Sequence, residues 1–248
     1  MIKKPFYFIA GPCAVESEDQ FKKTLKYVLE SGVKYVRVGA YKPRTSPDSF
    51  QGLGKAAFHF ISKLKNKYDF QIVSEIVGES DFKDMETHVD IFQVGARNMF
   101  NYSLLKFLQR NTEKKILFKR SFSATIPEYL NAAKYLENKK KDNLILCLRG
   151  IRTFEQIGSS LRYTPDLGSI LEVKKMTHYP VIFDPSHATG VSEFVAPAAL
   201  AALAIGADGL MIETTSSPCD ALCDGKQSLD KKQFKHLVTG VKKYVKHF

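Results

Sequence analysis

Eight strand-length apolar runs recur along the chain, and most are followed by a stretch with helical periodicity. The runs cover residues 6–10, 35–38, 70–74, 91–94, 115–118, 143–148, 180–183 and 209–212. Helical periodicity occupies 19–31, 51–67, 102–109, 126–137, 192–205 and 230–246, with a short helix expected at 80–85. Segment 152–175 is the least regular. Buried strands separated by crossover helices imply a parallel sheet. The 248 residues divide into eight units of 31, which matches a single (β/α)8 barrel, the TIM-barrel architecture. A doubly wound open sheet shows the same alternation. Against it, the loop after the first run reads Gly11-Pro12-Cys13-Ala14-Val15-Glu16, with no Gly-x-Gly-x-x-Gly turn. No Pro/Gly/Ser-rich linker or composition shift divides the chain, so residues 1–248 are expected to form one α/β domain.

Composition narrows the function classes. With 44% hydrophobic and 25% charged residues, the chain is neither disordered nor fibrous. Its longest uncharged run, 194–207, falls short of the roughly 18–20 residues that cross a bilayer. The apolar run at 6–9 is too short for a signal-peptide core. A cytoplasmic protein with no membrane partner is expected. The four cysteines, Cys13, Cys147, Cys219 and Cys223, are too few for a disulfide scaffold and read as thiols. A net charge of +11 (37 − 26) points to anionic partners. These could be nucleic acid or phosphorylated small molecules; the lysine tracts at 139–141 and 242–246 read as solvated faces and helix ends, so net charge alone does not choose between them.

A barrel of this kind builds its active site at the C-terminal ends of the strands. Cys13 lies past the first run, Arg37 and Lys42-Pro43-Arg44-Thr45-Ser46 past the second, and Glu75 ends the third. Gln93 and Gly95-Ala96-Arg97 end the fourth, Lys119-Arg120 the fifth, and Arg149 with Arg152 the sixth. Asp184-Pro185-Ser186-His187 close the seventh, while Glu213 ends the eighth with Asp224 in the loop beyond. One chemical set is cationic: Arg37, Lys42, Arg44, Arg97, Lys119 and Arg149. Six cations on one rim call for a ligand with several negative charges, such as two phosphates and a carboxylate. The other set, Cys13, His187, Glu213 and Asp224, offers a thiolate, an imidazole and two carboxylates. That mixture suits a borderline divalent metal: Mn, Fe, Co or Zn. Cys219 and Cys223 have no partner nearby in sequence and read as loop thiols. His59, His88, His178, His236 and His247 read as structural.

At these residues the chain resembles the 3-deoxy-D-arabino-heptulosonate-7-phosphate (DAHP) synthases, in the compact microbial branch related to 3-deoxy-octulosonate-8-phosphate synthase. The likeness runs through Gly11-Pro12-Cys13 with Glu16, Lys42-Pro43-Arg44-Thr45-Ser46-Pro47 and Gly95-Ala96-Arg97-Asn98-Met99. It continues in Lys119-Arg120, Phe122-Ser123-Ala124-Thr125, Asp184-Pro185-Ser186-His187, and Asp224-Gly225 with Gln227-Ser228-Leu229. The resemblance implies condensation of phosphoenolpyruvate with D-erythrose 4-phosphate, the first step of the shikimate pathway. It implies that Arg37, Lys42, Arg97, Lys119 and Arg149, with backbone groups near Gly95 and Ala96, hold phosphoenolpyruvate. Pro43, Arg44, Thr45 and Ser46 would hold erythrose 4-phosphate, and Cys13, His187, Glu213 and Asp224 the metal. Lys42, Glu75 and His187 are the candidate catalytic groups. A homodimer or homotetramer is expected, with a separate chorismate mutase as a candidate partner.

The chain departs from the family pattern at Val38, Ser121, Leu148 and the segment Arg162-Tyr163-Thr164-Pro165-Asp166-Leu167. Two rivals stand beside this reading. The first acts on arabinose 5-phosphate, as octulosonate synthases do, although Lys-Pro-Arg-Thr-Ser at 42–46 looks like the heptulosonate branch. The second is a non-catalytic basic barrel that binds anions. An extra N-terminal domain or fused chorismate mutase, the regulatory additions of this family, has no room within one barrel. Activity is therefore expected to be insensitive to phenylalanine and tyrosine. Inhibition by either at physiological concentration, read from initial rates, would contradict that expectation.

Overall fold

The computed structural model of the protein describes residues 5–44, 46–138, 142–154 and 162–245. Its eight strands are β1 (Tyr7–Gly11), β2 (Tyr35–Arg37), β3 (Gln71–Ile76), β4 (Ile91–Val94), β5 (Lys115–Lys119), β6 (Leu144–Leu148), β7 (Val181–Phe183) and β8 (Gly209–Glu213). They pair in sequence order, all parallel, and close into a barrel. Closure is made by β1 against β8, in register from Tyr7↔Gly209 to Gly11↔Glu213. Each expected run is one of these strands, shifted by two residues at most.

Nine helices surround the barrel among the described residues: α1 (Glu18–Glu30), α2 (Lys55–Lys65), α3 (Phe82–Met85), α4 (Tyr102–Asn111), α5 (Ile126–Lys134), α6 (Gly168–Met176), α7 (Pro185–Thr189), α8 (Ser192–Ile205) and α9 (Lys231–Val241). Local chemistry explains where they start. The Ser17 hydroxyl accepts from the Gln20 N–H at the head of α1. Thr125 with Glu128, and Asp230 with Gln233, form reciprocal caps on α5 and α9. Helix α2 begins later than expected because Gly52 and Gly54 hold φ at 96° and 55°, outside helical space. Two elements differ from the sequence reading: α6 emerges from the irregular segment, and α7 follows β7 directly. The signal for α7 lies in Asp184-Pro185. Asp184 caps the helix by accepting from the His187 N–H at 2.9 Å, and Pro185 occupies its first turn. No described helix is long and apolar enough to cross a membrane.

The pleat sorts each strand's side chains into two layers. Outward residues such as Phe8, Ile72, Phe92, Phe118, Leu146 and Phe183 pack beneath the helices. Inward residues Tyr7, Ile9, Val73, Ile91, Leu117, Ile145, Cys147, Ile182 and Met211 fill the barrel interior. Two residues further along, on the same inward side, come Arg37, Glu75, Gln93, Lys119, Arg149, Asp184 and Glu213. Strand parity alone carries polar groups to the C-terminal mouth.

Cys147 belongs to the apolar filling, and burial pushes its thiol up to about 12. It therefore stays protonated and unreactive near neutral pH. A thiol reagent at about pH 8 should label exposed Cys219 in the native protein and reach Cys147 only on unfolding. Peptide mass spectrometry checks this, and labelling of native Cys147 would contradict its interior position.

Candidate active site

The cationic set and the metal-type set meet at one cavity of about 120 Å3 at the C-terminal mouth. Arg37, Lys42, Pro43, Arg44, Glu75, Gly95, Ala96, Arg97, Lys119, Arg149, His187 and Asp224 all line it. Cys13 and Glu213 lie beneath, 2% and 0% exposed. Ser46 is exposed on the adjoining loop and outside the lining, where its hydroxyl accepts from the Asp48 N–H. Thr45 falls outside the described residues.

The four donors Cys13, His187, Glu213 and Asp224 come from four separate segments, yet their ligand atoms all lie within 4.8 Å of one another. His187 Nδ1 lies 2.8 Å from Asp184 Oδ2, which turns Nε2 toward Glu213 Oε1 at 3.3 Å and Asp224 Oδ2 at 3.9 Å. A carboxylate behind an imidazole is the arrangement that orients a ligating histidine. The Cys13 thiol donates to Asp224 Oδ2 at 3.1 Å. Asp224 is the one non-glycine residue at positive φ (52°) among the described residues. Aspartate tolerates that region better than most residues, and strain of this kind gathers at functional positions. The thiol, imidazole and two carboxylates thus fit a borderline divalent ion.

Burial would raise the Glu213 carboxyl, yet Arg37 and His187 outweigh it and bring it to about 2. Asp224 is likewise held below the usual carboxylate range, His187 and Arg162 overcoming its burial. Burial pulls His187 down to about 4 despite Asp184 and Glu213. The imidazole is therefore neutral near pH 7, as a metal ligand must be. Burial, reinforced by Cys223 and Glu213, raises the Cys13 thiol. Metal binding there would release its proton.

The cations are not equivalent. Arg37 pairs with Glu213 and Lys119 with Asp184, both pairs buried. Those two are already neutralised within the protein, so the expectation that all six await a ligand is too broad. Lys42 and Arg149 are buried without an ion pair among the described residues. Arg97 is exposed and donates to the Pro43 carbonyl at 3.2 Å, bridging two rim loops. Glu75 accepts from Gln93 Nε2 at 3.0 Å. Its carboxylate occupies the space a side chain at residue 95 would need, with Oε1 only 1.9 Å from an ideal Cβ on Gly95.

Several residues escaped the sequence reading. Cys223 is not a loop thiol without a partner: it is buried, 3.1 Å from Cys13 Sγ, and Arg44 Nη1 donates to its sulfur at 2.7 Å. Its partners lie some 180–210 positions away, beyond the reach of any local spacing rule. Cys219 is exposed, as expected. Phe122, Arg162 and Tyr163 also line the cavity, and Arg162 donates to Asp224 Oδ1 at 3.3 Å. Arg152 is exposed and outside it. Of the histidines read as structural, His88 stacks on Phe58 and bonds Ser62, while His247 falls outside the described residues.

Comparisons with known proteins agree with this geometry. Residues 3–247 match the DAHP synthetase I family. Over 238 residues the chain is 44% identical to a phospho-2-dehydro-3-deoxyheptonate aldolase of Thermotoga maritima, covering 96% of this chain and 69% of that one. It is 27% identical over 258 residues to a 2-dehydro-3-deoxyphosphooctonate aldolase of Francisella philomiragia, covering 96% and 91%. The crystal structure of the Thermotoga maritima aldolase superposes with a TM-score of 0.88 at 42% identity, covering 97% of this chain and 69% of that one. A truncated form of 3-deoxy-D-arabino-heptulosonate 7-phosphate synthase from the same organism gives 0.87 at 39%, covering 97% and 87%. With a four-donor cluster at the mouth of its parallel barrel and a family match over nearly its whole length, this chain belongs to the DAHP synthetase I family.

Proposed function

We propose that the protein condenses phosphoenolpyruvate with D-erythrose 4-phosphate and water to give DAHP and inorganic phosphate. The observation that carries the reading is the shared cavity: a mixed S/N/O donor cluster beside two buried cations, Lys42 and Arg149, that make no ion pair among the described residues. A cluster of this kind recruits a metal, and unpaired buried cations recruit anions.

Carbon 3 of phosphoenolpyruvate attacks the aldehyde carbon, and the positive charge developing at carbon 2 is trapped by water. The phosphohemiketal then expels phosphate with cleavage of its carbon–oxygen bond. Cys13, His187, Glu213 and Asp224 would hold the ion, which when bound supplies Lewis acidity at the aldehyde carbonyl. Mn, Fe, Co and Zn all suit this donor set. Lys42, charged and buried, stabilises or protonates the new alkoxide. Arg149 and Arg97 take the phosphate and carboxylate of phosphoenolpyruvate, with Arg37 and Lys119 adding field from within their ion pairs. The Gly95–Ala96 backbone completes that subsite. Pro43 and Arg44, which line the cavity, supply the sugar-phosphate subsite that the resemblance extends to Thr45 and Ser46. Glu75 orients the attacking water; His187, its Nδ1 against Asp184 and its Nε2 turned to the donor cluster, serves as a ligand and not as the water-steering group expected from sequence. The reading extends to a cytoplasmic homodimer or homotetramer, with a separate chorismate mutase as candidate regulatory partner.

Phosphate release from phosphoenolpyruvate tests it, with erythrose 4-phosphate compared with arabinose 5-phosphate. Turnover is expected with the four-carbon sugar, abolished by a chelator and restored by manganese. Preference for the five-carbon sugar would support the octulosonate reading instead, which the 27% identical relatives keep in view. Changes behind a metal ligand already cost about 10–100-fold in affinity or activity, so Cys13→Ser should cost at least about 100-fold. Metal content and far-UV circular dichroism should show lost metal in a folded barrel. Full activity of Cys13→Ser after exhaustive chelation would refute the ligand assignment.

A further inference from the structure

Arg149 is a buried guanidinium with an unusual set of partners. Among the described residues, Arg37, Arg120 and Arg162 each pair with a carboxylate: Glu213, Asp166 and Asp224. Arg149 has none. Its Nη2 donates to the His187 carbonyl at 2.8 Å, and its Nε is buried without a partner. Its guanidinium carbon also lies 4.8 Å from the centre of the Tyr163 ring, while the Asp184 carboxylate attracts it from beyond ion-pair distance. Tyr163 stacks on Phe122 at 5.4 Å, the planes 15° apart, and the Arg152 guanidinium lies 4.7 Å from the Phe122 ring. A continuous series of stacked contacts therefore runs from exposed Arg152 down to Arg149 in the pocket.

The backbone holds this series in place. Tyr163 N–H donates to the Ala188 carbonyl at 3.0 Å, and Ile151 and Thr164 form an antiparallel bridge. A Cβ at Gly150 would come within 2.6 Å of the Tyr163 Cβ, so glycine there lets the ring settle against the strand end.

The choice of compensation matters chemically. A guanidinium carries its N–H donors in its plane. A carboxylate neutralises it by occupying those donors, whereas an aromatic ring attracts it from above and leaves them open. We propose that Phe122 and Tyr163 are positioning residues that hold the Arg149 guanidinium by its face, keeping its in-plane N–H groups available to the anion of phosphoenolpyruvate. The inference rests on the activity proposed above.

Steady-state kinetics and calorimetry on the metal-loaded protein test it. Tyr163→Leu should raise both KM and Kd for phosphoenolpyruvate about tenfold, in line with a desolvated cation–π contact. Its kcat and its KM for erythrose 4-phosphate should move less than about threefold, a split that general misfolding would not produce. Tyr163→Phe, which keeps the ring, should restore phosphoenolpyruvate affinity to within about twofold of the parent. Phe122→Leu should give a smaller loss of the same kind and serves if Tyr163→Leu fails to fold. In an Arg149→Lys background the Tyr163→Leu penalty should largely vanish, because the two residues act as one unit. Unchanged phosphoenolpyruvate affinity in the leucine variants, an equal loss in Tyr163→Phe, or an undiminished penalty beside Arg149→Lys would each overturn the proposal. Parent protein that binds and turns over phosphoenolpyruvate separates this failure from failure of the activity. If the parent does neither, the proposed activity falls, and calorimetry with inorganic phosphate tests the stack alone: unchanged affinity in Tyr163→Leu overturns it too.

Discussion

The pleat of a closed parallel barrel is the constraint on which this molecule depends. Successive side chains on a strand point to opposite faces, so each strand sends every second residue inward. One inward position is apolar and fills the interior, as Val73, Ile91, Leu117, Ile182 and Met211 do. The next, two residues on, is polar and stands at the mouth: Glu75, Gln93, Lys119, Asp184 and Glu213. A shift of one residue in any strand would send its polar group under a helix and an apolar side chain into the cavity. Fold and site are two readings of one periodicity.

Gathering so many charges into a half-closed mouth carries a desolvation cost that the structure offsets in three ways. Arg37–Glu213 and Lys119–Asp184 are buried ion pairs, which geometry must make good if they are to break even. Asp184 does so by working in several directions at once, toward Lys119, the His187 ring and the His187 backbone N–H. Its carboxyl is held far below the usual range, His187 and Lys119 overriding burial. Arg149 is compensated by the field of Asp184 and by an aromatic face. Lys42 has the Glu75 carboxylate near it but no ion pair among the described residues. What is left over after this compensation is positive and directed at the cavity, the condition for capturing a multiply charged anion.

The thiol corner shows how closely the metal-type cluster and the rim are joined. Cys13 touches both Asp224 and Cys223, and Cys223 touches Arg44. The hydrogen bond shared with Cys13, helped by Lys42, lowers the Cys223 thiol against its burial. A rim arginine and a candidate metal ligand are thus two contacts apart, so structural change at one reaches the other.

The eight runs, their parity and the polar residue at each strand end were determined by sequence, because hydrophobic periodicity reports which face of a strand is buried. So were the four metal-type donors and the cationic rim, since their residue types suit few other roles at those positions. Helix α7 was legible in principle, its cap and proline standing side by side at Asp184-Pro185. Tertiary structure alone decided which cations are free: Arg37 and Lys119 look the same as Lys42 and Arg149 in sequence, yet the first two meet carboxylates 176 and 65 residues away. It alone brought Cys223 to Cys13, and Tyr163 with Phe122 to Arg149. Cys13 and Cys223 follow β1 and β8, which only barrel closure sets side by side; Tyr163 folds back along the segment after β6 to reach Arg149 and meets Phe122 from the loop after β5. Sequence settles what each residue can do; closure settles which residues meet.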